Sequence, residues 1–372
     1  MAKNISIALS LIAIIVLIFF ALSGMNKLKL VHKYEIKNTP EICEGIHLGG
    51  FSDFFYKDGY FYAITDRGPN SKDFEKDGKI YRIFHCPQYS PYIIKFKIDD
   101  NEAEIVEALP IKELSGIPIS EERDSIPLDE NENKIPFNID GADVESFIID
   151  NEGNYWLGDE YYPSIIKLDK NLNVVKRFAP INSEIKNPKI TYNLPEEFNN
   201  VKKNLGFESM AYDGKDFIYV FTQAGLKGQT NISVLEFNIK TEKVENVYQY
   251  KFPENSILSA AIFVDKGKFY IAEKLFNRHF LDEVISENGF LRKNSILRPL
   301  TQKDKILKNL KIEGFTKDDK NNLYIINDND FGIDDDNTKN NFIIKFKFKD
   351  QDDDDDDKAD NDDDDDKDDK GD

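Results

Sequence analysis

Residues 143–163, DVESFIIDNEGNYWLGDEYYP, decide the fold. A short apolar run, 144–149, leads into a turn carrying Asp150, Asn151 and Gly153, and then into an aromatic run that ends on Asp159 and Glu160. Asp, Asn and Gly adopt the turn conformations that other residues resist, so the segment reads as a β-hairpin. The same pattern returns at residues 49–69, 206–223, 258–274 and 312–332. The turn carboxylates, Asp150 and Asp213 among them, therefore read as serving the backbone. Trp156, the single tryptophan, sits mid-strand and reads as packing.

Further strand pairs follow three of these hairpins: residues 92–111, 164–181 and 232–252. Four strands per unit, repeated, predict an all-β β-propeller of five or six blades. After the fifth hairpin only residues 341–348 read as a strand, so the missing partner is expected at the other end of the body, in 28–36. This predicts ring closure by pairing 30–36 with 342–348. Residues 275–311 lack a clear outer-strand signature, and a sixth unit has room in 70–140 or 275–310. A two-sheet β-sandwich is the alternative, but sandwiches do not require self-similar hairpins.

A hairpin returns the chain to the end where it began. The acid that opens each first strand therefore shares a rim with the polar residue that closes the second. The pairs are Glu145 with Asp159-Glu160, Glu208 with Gln223, Glu313 with Asp328, and Asp53 with Asp66, spaced 13 to 15 residues apart; the fourth unit offers only Glu273. In a propeller these side chains face one another around the channel mouth. Gathered carboxylates are unfavourable unless cations, basic partners or bound protons relieve them. Oxygen donors without His or Cys favour a hard ion, calcium before magnesium. The expected metal ligands are Asp66, Glu145, Asp159, Glu160, Glu208, Glu313 and Asp328, although about half of such acids are expected to serve neighbouring backbone or ion pairs instead. Arg67, Lys274 and Arg278 bring positive charge to the same rim and are expected to bind an anionic substrate such as a phosphate ester. For Arg67 a plain ion pair with a neighbouring Asp is the simpler reading.

No nucleophile elbow, HExxH, Walker loop or dinucleotide fingerprint is present. The histidines, His32, His47, His85 and His279, lie outside the repeats, so histidine general-base chemistry and zinc are not expected. The chain has a net charge of −20, of which residues 350–372 carry −13, leaving −7 for the body. This sign disfavours nucleic acid. The Asp-rich tail has too little apolar content to fold alone and reads as a solvated tail, or as a weak buffer of divalent cations. Residues 5–22 are apolar and uncharged, long enough to cross a bilayer as a helix of about 27 Å. An uncleaved membrane anchor is expected there, with a cleaved signal as the alternative. Either way the body, 27–349, is exported, and it is expected to act as a monomer. Cys43 and Cys86 fit no metal pattern; in an exported protein they can pair, in a cytosolic one they are inert thiols.

The segments YAITDRGPN, VESFIIDNEGNYWLGDEYYPSIIKLD, NLGFESMAYDG, FYIAEK and IEGFTKDDKNNLYIINDNDFG, spread over about residues 45–349, resemble the phytase-like (esterase-like activity of phytase) family. The resemblance implies an exported propeller, assisted by calcium, that hydrolyses phosphate esters, and it supplies no catalytic set. Two alternatives stand beside it. One is a non-catalytic propeller, stabilised by calcium, that binds a ligand or partner at its rim. The other is a sugar-lactonase-like propeller with a single metal ion held by acids and an Asn such as Asn327 or Asn329.

Overall fold

The computed structural model describes residues 27–99, 102–251, 256–275, 278–300, 310–333 and 339–349, with the side chain of Arg278 outside it. The chain is all-β. In the unit that opens with the deciding hairpin, Val144–Ile149, Tyr155–Asp159, Ser164–Leu168 and Val174–Pro180 pair antiparallel in chain order, and Ile190–Leu194 adds a parallel edge. The pattern recurs in Phe51–Lys57, Tyr60–Thr65, Tyr92–Ile98 and Ala103–Pro110, and in Phe207–Tyr212, Phe217–Thr222, Ile232–Asn238 and Lys243–Tyr250.

The last unit joins the two ends of the body. Lys311–Lys317, Leu323–Asp328 and Asn341–Phe348 are completed by Leu28–Ile36, which runs antiparallel with Leu28 opposite Phe348 and Ile36 opposite Asn341. The closure predicted from sequence is the closure observed. The fourth unit corrects the expectation for 275–311: Ser256–Asp265 and Lys268–Leu275 are followed by two long outer strands, Arg278–Glu287 and Phe290–Leu300. Their signature is masked because charged residues, Asp282, Glu283 and Arg298, occupy buried positions there. Residues 70–140 complete the first unit's outer strands and add a small sheet of Phe74–Lys76, Lys79–Ile83 and Ile126–Leu128, which lies outside the repeat.

Each unit's first strand touches the first strands of the units before and after it, and the fifth touches the first. The apolar clusters have the same cyclic arrangement. Ile64 and Ile93 meet Val144 and Phe147; Trp156 and Phe178 meet Phe207 and Phe237; Phe221 and Val234 meet Leu258 and Phe269. Ala260 and Leu281 then meet Ile312 and Phe315, and Tyr324 and Ile343 return to Phe54 and Phe96. Each core thus lies between two sheets, so every sheet is buried on both faces near the axis. This explains the near-continuous apolar first strands. The turns behave as read: Asp150 Oδ1 accepts the Glu152 and Asn154 N–H groups, and its Oδ2 accepts Trp156 Nε1 at 3.0 Å.

Cys43 and Cys86 form a disulfide. It ties the hairpin of Glu41–Cys43 and Ile46–His47 to the loop bearing Tyr89, and both pack on Phe331. Residues 5–22 and 350–372 lie outside the described residues; among the described ones no helix is long and apolar enough to cross a membrane. With the cysteines 43 positions apart, loop-closure entropy predicts that Cys43→Ser with Cys86→Ser lowers stability by about 4 kcal/mol. Denaturant unfolding of the double variant measures this, and a loss below about 1 kcal/mol would contradict it.

Candidate active site and metal centre

The first two strands of every unit slip register at the same place. The breaks fall at Phe51/Asp53, Val144/Ser146, Phe207/Ser209, Leu258/Ala260 and Ile312/Gly314. The bulged residues are therefore Ser52, Glu145, Glu208, Ser259 and Glu313. A bulge re-aims one side chain without ending the strand, and here it turns three glutamates toward the axis. The residue closing each second strand is Asp66, Glu160, Gln223, Lys274 or Asp328 at the equivalent register. The acid expected at the first unit's opening, Asp53, sits one residue past the bulge and faces away. Its carboxylate accepts the backbone N–H of Phe147 in the next unit at 2.9 Å. Ser209 holds Ala261 N in the same manner at 2.7 Å.

These positions open on one cavity of about 1040 Å³, lined by Asp66, Arg67, Glu145, Glu160, Glu208, Gln223, Lys274, Lys311, Glu313 and Asp330. Its other wall comes from the inserted segment, through Asn70, Asp73, Phe74, Arg82 and His85, and from Asn204 in the loop before Phe207. The structure thus brings together Asp66, Glu145, Glu160, Glu208 and Glu313 with Arg67 and Lys274. Asp159 is not among the lining residues. Strand alternation turns it away from Glu160 and into the unit, where it accepts Asp143 N, Tyr161 N and Ser164 Oγ and pairs with Arg177. Asp328 is buried behind the rim, 2.5 Å from Lys311 Nζ. The side chain of Arg278 lies outside the described residues.

Arg67 is committed rather than free. Its guanidinium pairs with Asp124 at 2.6 Å, Glu160 at 3.3 Å and Asp143, bonds Asn204, and lies over the Tyr161 ring. The backbone of residue 116 passes so close that a Cβ on Gly116 would sit 1.7 Å from the Arg67 carbonyl oxygen, so this position admits only glycine. In the fifth unit Lys311 is shared by Asp328, Asp330 and Glu313 at 2.5, 3.2 and 3.6 Å. Asp330 and Phe331 both hold left-handed backbone, φ 45° and 55°, conformations that non-glycine residues adopt when their surroundings impose them.

The acids outnumber these cations. Among the described residues, Glu145 has no hydrogen bond or ion pair, and Glu160 Oε1 and Glu208 Oε2 are buried without a hydrogen-bond partner. Burial, reinforced by neighbouring carboxylates, pushes Asp66, Glu145, Glu160 and Glu208 well above the usual carboxylate range. Burial also raises Asp159 to about 6 and Asp328 to about 7, with Arg177 and Lys311 opposing it. Lys311 is itself driven well above its ordinary value; its three carboxylates overcome the opposing effect of burial. Carboxylate oxygens of Asp143, Glu145 and Glu160 lie within 4.8 Å of one another. An oxygen-only set with orphaned buried atoms fits a hard divalent cation.

A sequence model described as "Phytase-like: Esterase-like activity of phytase" matches residues 46–331. The chain belongs to the phytase-like family. No curated protein matches the sequence. Solved structures similar to this phytase-like chain include a GH43 β-1,3-galactosidase, at 13% identity and TM-score 0.45, covering 83% of this chain and 94% of that one. A luciferin-regenerating enzyme aligns at 11% and 0.40, covering 86% and 95%. A PQQ-bound aldose sugar dehydrogenase from Streptomyces coelicolor aligns at 7% and 0.41, covering 87% and 98%. At such identities and scores these neighbours carry no argument about its chemistry.

Five residues of this phytase-like site, Asp143, Lys311, Asp124, His85 and Asp330, escaped the sequence reading. Asp143 and Lys311 stand just outside the repeated acid positions, one before a first strand and one at its start. Asp124 and His85 come from the inserted segments, which have no repeat to align them; His85 Nδ1 meets Glu130 at 3.0 Å. Asp143 and Asp330 are legible in the segments GADVES and NDNDFG only once the bulge is known.

The raised carboxyls mean that the fold binds more protons than the unfolded chain. Stability without divalent cations therefore falls as pH rises from the ordinary carboxylate range through the raised values. The melting temperature in chelator is expected to drop by several degrees between about pH 5 and about pH 8. Glu208→Gln, which removes one such group, flattens that drop. A profile that is level or rises over this interval would contradict the assignment.

Proposed function

We propose that the five units are the blades of a five-bladed propeller and that its acid-lined mouth is a cation-dependent phosphoesterase site. One observation carries the reading. Five acids, Asp66, Glu145, Glu160, Glu208 and Glu313, line one cavity, and two of them keep buried oxygens with no partner. Calcium suits the donor set, with Asp143, Glu145, Glu160 and Glu208 as the residues that hold it. When bound, such an ion polarises a phosphoryl oxygen and lowers the pKa of a coordinated water.

The chain's own residues divide the remaining work. Arg67 is a positioning residue: its bonds fix Asp143 and Glu160 and balance part of their charge. This replaces the substrate-binding role expected for it. Lys274 stands where the other units carry an acid or Gln, and its amine has no hydrogen bond or ion pair among the described residues. It is the group placed to receive a phosphate oxygen. The inserted segments around Phe74 and Arg82 wall the cavity and restrict bulk water. The Cys43–Cys86 bond fits an oxidising compartment, which supports an exported body, anchored through residues 5–22 or released by cleavage.

The second reading, a calcium-stabilised propeller without catalysis, draws on the extensive pairing of Arg67 and Lys311, which is what a structural ion network requires. Hydrolysis assays separate the two. On a panel of phosphate monoesters, chelation and Glu145→Gln with Glu208→Gln are each expected to reduce kcat/KM by about 100-fold or more. Lys274→Ala is expected to raise KM by about tenfold, the contribution of one charged hydrogen bond, with kcat little changed. Calcium raising the melting temperature with no turnover of phosphate or carboxylic esters would leave only the second reading.

A further inference from the structure

The channel has a second mouth at the far end of the first strands. Counting four residues past each bulge gives Tyr56, Ile149, Tyr212, Phe263 and Lys317, and all five line a separate cavity of about 360 Å³. Four units place an apolar or aromatic side chain at this level and the fifth places a lysine. Two residues past the bulge, Phe54, Phe147 and Phe315 fill three units, whereas the third and fourth carry Met210 and Ala261. At the intervening level the third unit has Ala211. The free space therefore exists because two adjacent units depart from the repeat toward smaller side chains. The lysine that departs from it stands at the edge of that same space.

Lys317 is partly buried, and its amine makes no hydrogen bond or ion pair among the described residues. Burial pushes it below the ordinary lysine value, and Asp265 draws it only partly back. The other lysine lining this mouth, Lys57, is occupied: its Nζ donates to the Asp150 carbonyl at 2.7 Å. Tyr56 donates its hydroxyl to Asp319 at 2.8 Å. What remains is a space walled in part by Met210, Ala261 and Phe263, with Asp58 and Asp319 on its rim and Lys317 at its edge as the lining cation that makes no bond among the described residues; it is at the small end of the ~300–1,000 Å³ range of ligand sites.

We propose that this second mouth binds a small amphiphile, an apolar chain or ring with a single anionic head, its body against Met210, Ala261 and Phe263 and its head on Lys317. An acid of this form matches the site on both counts: it fills space that otherwise forfeits packing contacts, and it supplies the carboxylate that the lysine lacks. A neutral chain satisfies only the first. The site is independent of the acid-lined cavity, which lies at the opposite ends of the same strands.

Calorimetric titration of the full chain with decanoate and with decanol tests it. Decanoate is expected to bind saturably with one site per chain, and decanol much more weakly. Lys317→Met is expected to weaken decanoate by at least about tenfold, the contribution of one charge-assisted hydrogen bond, while leaving decanol unchanged. Ala261→Leu, which fills the space, is expected to abolish binding of both. Should that variant fail to fold, Lys317→Met decides alone, since this side chain has no bonds to lose. Calcium affinity at the other mouth is measured in parallel and is expected to be unchanged, so failure here is distinguishable from failure of the phosphoesterase reading. Absence of saturable decanoate binding, or equal affinity in wild type and Lys317→Met, would overturn the proposal.

Discussion

Everything at the acid-lined mouth follows from one steric constraint. The first strands of five units meet around a common axis, and at each of them the register breaks at the same step. A regular strand alternates its side chains between two faces, both of which are buried here between neighbouring sheets. Only a bulged residue can leave that alternation and project along the axis. The bulge is thus what separates an acid that binds a neighbouring backbone, as Asp53 does, from one that faces the cavity, as Glu145 does. The inter-unit cores hold the strands close enough that the bulged glutamates share a single electrostatic environment.

That sharing explains why the site's ionisation is collective. No glutamate there can be assigned a charge without reference to the others, because the neighbours that raise each value are the other members of the set. Arg67 and Lys311 hold separate groups of the set's carboxylates. Each is held by three carboxylates, which fixes its position and leaves the central acids short of partners. Lys274 is the exception: it enters from the fourth unit, whose bulge carries Ser259, and it makes no ion pair among the described residues, although its charge reaches Glu313.

Most of the ring was legible in the sequence, because hairpins repeat and repetition survives substitution. The closing strand, Leu28–Ile36, was legible by subtraction: one unit lacked a partner and one unassigned segment alternated correctly. The fourth unit's outer strands were not, since Asp282, Glu283 and Arg298 break the apolar alternation by which a buried strand is recognised. At the site, the spacing of acids brought five of the seven expected residues, Asp66, Glu145, Glu160, Glu208 and Glu313, to the cavity wall. It could not distinguish Asp159 from Glu160, whose roles differ only by the face of the strand they occupy. Nor could it reach Asp124 or His85, whose positions depend on how two insertions fold back over the mouth. The bulge itself leaves no compositional mark, being filled by Ser in two units and Glu in three.

The pairing of Leu28–Ile36 with Asn341–Phe348 has a consequence for how the protein comes into being. Synthesis proceeds from one end, so the strand that finishes the last sheet is made first and its partner last. Throughout elongation the early strand presents unpaired backbone groups while the rest of the ring is assembled. Such an edge is a template for pairing with another nascent chain. Its basic side chains, Lys29 and Lys33, work against association with identical edges. The ring becomes a cooperative object only when the final strand arrives, so a chain shortened before residue 341 would lose the clasp that joins its two ends as well as one strand.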